Sequence, residues 1–133
     1  MFKKRMLMLC GVMLLAFVLV ACGRLSVSFS GSHRNAVSNL TIDGWTYTAN
    51  TINGRATTNN LELTADNLSQ LHVDANFGGG TILLELIQGD FGRGLHLADD
   101  FSGYVDTSGF EPGEIRLRLV FTNVQNMDIS IRW

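Results

Sequence analysis

The chain has 133 residues, 46% of them hydrophobic and 17% charged, and a formal charge of −2. That length suits one domain with a real core. Two cysteines exclude a disulfide-dense scaffold, and ten cations against twelve acids provide no cationic cluster of the kind nucleic-acid binding needs.

Met1-Phe2-Lys3-Lys4-Arg5 sets three cations ahead of an apolar run from Met6 to Ala21. A cationic head, an apolar middle and small residues at its end follow the plan of a secretory signal. The run is 16 residues long. A membrane-spanning helix needs roughly 20. It closes on Leu19-Val20-Ala21-Cys22-Gly23. This stretch resembles the lipobox of bacterial lipoproteins, with Leu19, Ala21 and Cys22 at its defining positions. The resemblance covers residues 1–22. It implies removal of a signal peptide spanning 1–21 and a diacylglyceryl group on the Cys22 sulfur, with no other cofactor. One acyl chain binds a bilayer marginally and two hold stably, each buried CH₂ being worth ~0.8 kcal/mol. The implied partner is therefore a membrane, either the cell membrane or an outer membrane, with the protein facing away from the cytoplasm. An aspartate after the cysteine retains Gram-negative lipoproteins at the inner membrane; Gly23 leaves both membranes open.

Cleavage before Cys22 would leave 112 residues, with seven Arg, no Lys and twelve acids, a formal charge of −5. Nucleic acid is excluded more firmly for that acidic remainder. Cys22 would be its only cysteine, so neither a disulfide nor a cysteine metal site is available.

Beyond the leader, period-2 alternation dominates, the mark of half-buried strands. Leu25, Val27 and Phe29 alternate with polar residues and predict a first strand. Ser30–Asn39 is rich in Gly, Ser and Asn and reads as a loop. Should the first strand not pair, residues 22–39 form a tether reaching ~50 Å. The all-β domain proper is expected over 40–133. Asp43-Gly44 signals a turn, then Trp45, Tyr47 and Ala49 share one face of a strand. Asn53-Gly54 is a strong hairpin signal. Leu61, Leu63 and Ala65 mark the next strand. Leu71, Val73, Ala75 and Phe77 mark another, with His72, Asp74 and Asn76 facing away. Gly78–Gly80 turns the chain into Thr81–Gln88, apolar enough to be central. Gly89–Gly94 reads as a turn, with short strands at Leu95–Ala98 and Tyr104–Thr107. Pro112-Gly113 suits a type II turn. Ile115–Thr122 and Met127–Trp133 then alternate around Asn123–Asn126, predicting a terminal hairpin.

Many short strands with turns at 8–12-residue spacing predict a small antiparallel β-sandwich or jelly roll. A short β-solenoid is the alternative, suggested by apolar pairs between Asn and Gly across Leu61–Leu86, although no fixed period runs through the chain.

Trp45 and Tyr47, one strand period apart, are candidates for a sugar-stacking platform, with Tyr104 and Trp133 the other large amphipathic aromatics. Arg116, Arg118 and Arg132 would form one cationic strip on the terminal hairpin, suited to anionic envelope polymers; pairing with Asp128 is the ordinary explanation. Asp99 and Asp100 lie in a Gly-rich region of the kind that supplies oxygens to Ca²⁺, but no EF-hand-type loop surrounds them. Glu62 and Glu85 would both point outward with nothing to bring them together, no G-x-S-x-G elbow is present, and only His72 and His96 could become neighbours through a sheet. No enzyme is predicted. The expectation is a lipid-anchored envelope domain that binds a polysaccharide or a protein partner, the alternatives being a structural envelope lipoprotein without a ligand site and, last, a small hydrolase.

Overall fold

The computed structural model describes residues 25–133, and the leader, the lipobox and Cys22 lie outside them. The described chain is an all-β fold. Its strands are β1 (Val27–Arg34), β2 (Val37–Thr41), β3 (Gly44–Thr58), β4 (Leu61–Leu63), β5 (His72–Asn76), β6 (Thr81–Gln88), β7 (Phe91–Leu97), β8 (Phe101–Tyr104) and β9 (Gly113–Arg132), with one short helix, α1 (Ala65–Ser69). Every strand pairing is antiparallel, which removes the solenoid alternative.

Two long strands organise the sheet. β9 pairs with β3 from Arg132 opposite Gly44 to Arg118 opposite Thr57, and β4 takes over where β3 ends, with Leu61 opposite Ile115. Along the other edge of β9, β6 pairs with Arg116–Thr122 and β5 with Asp128–Arg132. β1 and β2 both line β3, while β7 flanks β6 and β8 flanks β5. The result is two rows of strands, β1-β3-β9-β6-β7 and β2-β3-β9-β5-β8, that share their central pair.

The rows face each other across one core. Tyr47 stands opposite Ile129, and Phe121 opposite Gly54. Seven residues along a straight strand would separate those positions by ~23 Å. The two rings are 5.5 Å apart, so the shared strands bend back on themselves. The bend falls where the alternation of buried side chains slips: Ala49 to Ile52 in β3, and Phe121 to Val124 to Met127 in β9. Asn123 and Asn126 take left-handed φ values of 50° and 48° there, a conformation Asn tolerates, and the β3–β9 register shifts between Ile52 and Gly54. Between the rows, Trp45, Leu84, Leu117, Leu119, Ile129 and Ile131 are almost fully buried.

Three sequence expectations fail at these positions. Asn53-Gly54 makes no hairpin; β3 runs through it, and the Asn53 carboxamide oxygen accepts from the Asn123 backbone N–H at 3.3 Å. Asn123–Asn126 makes no turn; the expected terminal hairpin is one 20-residue strand with bulges. Ser30–Asn39 is not a loop, because β3 offers its outer edge and the backbone pairs there despite exposed side chains on both faces. The first strand does pair, so the folded unit starts well before residue 40. Ala65 opens α1 rather than continuing a strand, because Thr64 and Asn67 form a reciprocal capping box at 3.1 and 2.9 Å. Only Gly89-Asp90 turns the chain after β6, and Phe91–Gly94 joins β7.

Where β3 kinks into β4, Thr58 is the only buried polar residue among those described. Its hydroxyl accepts the Leu117 N–H at 3.0 Å, supplying the acceptor that the broken ladder lacks. Among the described residues no helix is long and apolar enough to cross a membrane.

Candidate functional site

Period-2 alternation sends Val73, Ala75, Ile129 and Ile131 into the core and turns His72, Asp74, Ser130 and Arg132 to the opposite face. Antiparallel register then aligns them with β8. Arg132, His72 and Tyr104 form one rung across three strands, and Ser130, Asp74 and Ser102 form the next. The outward face of His72 and Asp74 matches the sequence expectation; their partners do not, since His96 pairs with Leu83 instead.

The rung is chemically ordered. An Arg132 guanidinium N–H donates to Asp74 Oδ2 at 2.8 Å and lies 3.2 Å from His72 Nδ1. His72 Nδ1 also lies 3.6 Å from Asp74 Oδ2. Ser102 Oγ donates to Asp74 Oδ1 at 2.6 Å. The Ser102 hydroxyl holds the Asp74 carboxyl below the usual carboxylate range, and the charged Arg132 acts in the same direction. The Tyr104 ring meets His72 edge-on, with centroids 5.0 Å apart at 90°. Tyr104 nevertheless stays 70% exposed, one of the few large hydrophobic side chains left in water. The face thus offers a propped aromatic ring beside guanidinium, hydroxyl and carboxylate groups on strands that cannot easily move. Asp74 uses both its oxygens, one accepting from Ser102 and the other from Arg132.

Apart from Arg132 and Tyr104, the residues singled out from sequence fall elsewhere. Trp45 and Tyr47 are 1% and 4% exposed. Both point into the core, where Trp45 donates to Ser38 Oγ at 2.9 Å and burial pushes the Tyr47 phenol above its usual pKa. Neither ring is an accessible stacking platform. Arg116, Arg118 and Arg132 form no common strip, because they lie along one strand instead of across a hairpin. Arg118 pairs with Glu85 at 2.6 Å and Arg132 with Asp74, while Asp128 stands opposite Thr48 and Asn76. Asp99 accepts the Phe77 N–H at 3.1 Å, and Asp100 sits in the turn before β8 at a φ of 59°. Among the described residues no three His, Cys, Asp or Glu side chains are placed to hold a metal ion. Glu62 stands exposed on β4, away from the paired Glu85, and His33 packs on Phe29. Sequence reasoning placed His72 and Asp74 outward and noted Tyr104 and Arg132 separately. It missed Ser102 and the convergence of all five, for which the register is the only signal. Comparison with protein-family models, with curated proteins and with solved structures gives no match.

Proposed function

We propose that this chain is a non-enzymatic binding domain of the bacterial envelope, held to a membrane through a diacylglyceryl group on Cys22, whose Tyr104 face takes a saccharide polymer. The anchor rests on Leu19-Val20-Ala21-Cys22. The binding reading rests on one observation: Tyr104 is 70% exposed yet held edge-on by His72, beside the Arg132–Asp74–Ser102 hydrogen-bond net. A sugar ring presents C–H groups on its faces and hydroxyls on its rim. A phenol ring suits the first, and a guanidinium–carboxylate pair suits the second. Side chains already satisfied by one another favour recognition over catalysis.

Sedimentation of the mature chain, carrying Cys22→Ser to keep it free of lipid, with purified peptidoglycan sacculi tests the binding face. Retention is expected, and Tyr104→Ala should weaken it about 3–10-fold, the scale of one aromatic contact. Equal retention of variant and parent would remove the proposed face. Mass spectrometry of the natively expressed product tests the anchor on its own: an unmodified Cys22 sulfur rules it out.

A further inference from the structure

We infer that the polar groove beside the chain entry seats a zwitterionic phosphoethanolamine headgroup of the bilayer that holds the Cys22 anchor, so that the domain stands with this end against the membrane. The inference rests on the lipid-anchor reading for its geometry. Its first support is length. β1 begins at Val27, and Ser26 is already pinned to the link between β3 and β4: the Ser26 N–H donates to Asn59 Oδ1 at 3.2 Å, and the Asn59 N–H donates to the Ser26 carbonyl at 3.0 Å. Three residues separate Cys22 from Ser26, four Cα–Cα steps that span at most about 14 Å. The headgroup layer of one leaflet is itself ~6 Å deep. A domain on so short a leash has no freedom to stand away from the headgroups.

The second support is what lies at that point. Ser26 lines a groove of about 580 Å³ whose walls also carry Ser28, Thr57, Asn60, Glu114 and Arg116. Glu114 and Arg116 project from the same face of β9, two residues and thus about 7 Å apart. They do not pair with each other: no ion pair among the described residues includes either. Glu114 meets only the Asn60 amide, at 3.5 Å, and Arg116 is exposed. An unpaired cation and an unpaired anion at that spacing, among hydroxyls and amides, complement a phosphate and an ammonium two carbons apart. The guanidinium suits the phosphate, and the carboxylate accepts from the ammonium N–H groups. A formal charge of −5 after cleavage argues against general adhesion to anionic lipid, so the site depends on the matched pair of charges.

The test imposes the anchor chemically, which separates it from natural lipidation. The mature chain is coupled through its single thiol at Cys22 to a maleimide lipid in vesicles containing a trace of gadolinium-chelate lipid. Amide signals are then compared in phosphatidylethanolamine–phosphatidylcholine mixtures, pure phosphatidylcholine and phosphatidylcholine–phosphatidylglycerol mixtures. Strong broadening at Ser28, Asn60 and Glu114, with Tyr104 spared, is expected in the ethanolamine vesicles. Arg116→Gln or Glu114→Gln should erase that contrast while circular dichroism and the unfolding midpoint stay unchanged. Broadening with no preferred face, a pattern indifferent to both variants, or equal or stronger orientation on phosphatidylglycerol would each overturn the docking. Mass spectrometry that finds native Cys22 unmodified would overturn the anchor and leave the vesicle result standing as a separate fact.

Discussion

β9 carries two arginine–carboxylate pairs, one on each row of the sheet, and they live in different solvents. Arg118 donates to Glu85 at 2.6 Å with side chains 30% and 23% exposed, in a row whose outer face also holds the partly covered Leu83, Ile87 and Val120. Arg132 donates to Asp74 at 2.8 Å with side chains 60% and 44% exposed, in a row whose outer face holds serine, histidine and tyrosine. The distances are nearly equal, but the surroundings decide what each pair does. The first is half withdrawn from water, and its Arg118 Nε is buried without a partner. Removing one member leaves a charge in a poor solvent. The second pair is wet and contributes little to stability, as exposed pairs do. It is free to trade water for a ligand. One row therefore holds the fold, and the other presents a surface.

Phe121→Ala should break both rows at once. Phe121 is 2% exposed, and its ring meets Tyr47 across the bend that turns one row onto the other. Deleting it leaves a ring-sized void where the rows depend on mutual contact, at a cost of about 3–5 kcal/mol. A large drop in the urea midpoint is expected. A shift under about 1 kcal/mol would mean that the bend does not rely on this contact, since even modest core truncations cost that much.

A smaller effect comes from the covered pair. Arg118→Met should cost about 1–3 kcal/mol, less than a fully buried pair because both groups keep some water. Adding Glu85→Leu should recover part of the loss, since the stranded carboxylate goes with it. A double-mutant cycle over the two sites measures the coupling. Strict additivity would place this pair in the same class as Arg132–Asp74 and dissolve the contrast between the rows.

The contrast was only partly legible in the sequence. Alternation alone identified the inward stripes Val73–Ala75, Leu117–Leu119 and Ile129–Ile131, and so the all-β class, because a half-buried strand leaves that imprint whatever its partners are. It could not identify partners. Asn53-Gly54 and Asn123–Asn126 supply left-handed backbone, which a tight hairpin and a bulge both require. The choice between them is made by the pairing of β3 with β9 from Gly44 opposite Arg132 to Thr57 opposite Arg118, a long-range term absent from any local window. Reading a hairpin there put Arg116, Arg118 and Arg132 side by side. Reading a continuous strand spreads them along the molecule and hands each a different neighbour. The candidate face was lost for the same reason. His72, Asp74, Ser102, Tyr104 and Arg132 come from three strands, and nothing within any one of them announces the others. The buried Trp45 misled in the opposite way: an indole is as useful to a core as to a sugar, and only the Ser38 hydroxyl waiting for its N–H at 2.9 Å decides between them.

The smallest effect is the most discriminating. Asp74→Asn keeps the shape of the exposed pair and removes its charge. In the folded protein the Asp74 carboxyl titrates below its ordinary range, chiefly because Ser102 donates to the ionised form. A depressed pKa contributes stability that is present above the unfolded value, ~3.9 for aspartate, and is lost as pH falls through the lower folded value. At neutral pH the contribution of so exposed a group is too weak to move the unfolding midpoint. Parent and variant should therefore unfold together at pH 7, and the parent should show a slightly steeper loss of stability below pH ~4. Retention on sacculi should respond quite differently. Without the carboxylate, Arg132 loses the anionic partner that holds it beside Tyr104, and binding should fall at pH 7 while stability does not. A variant that binds normally would show that the ordered net is incidental to the ring. One that unfolds early at pH 7 would show that the wet row bears on the fold after all, and the division of labour between the two rows that share β9 would have to be given up.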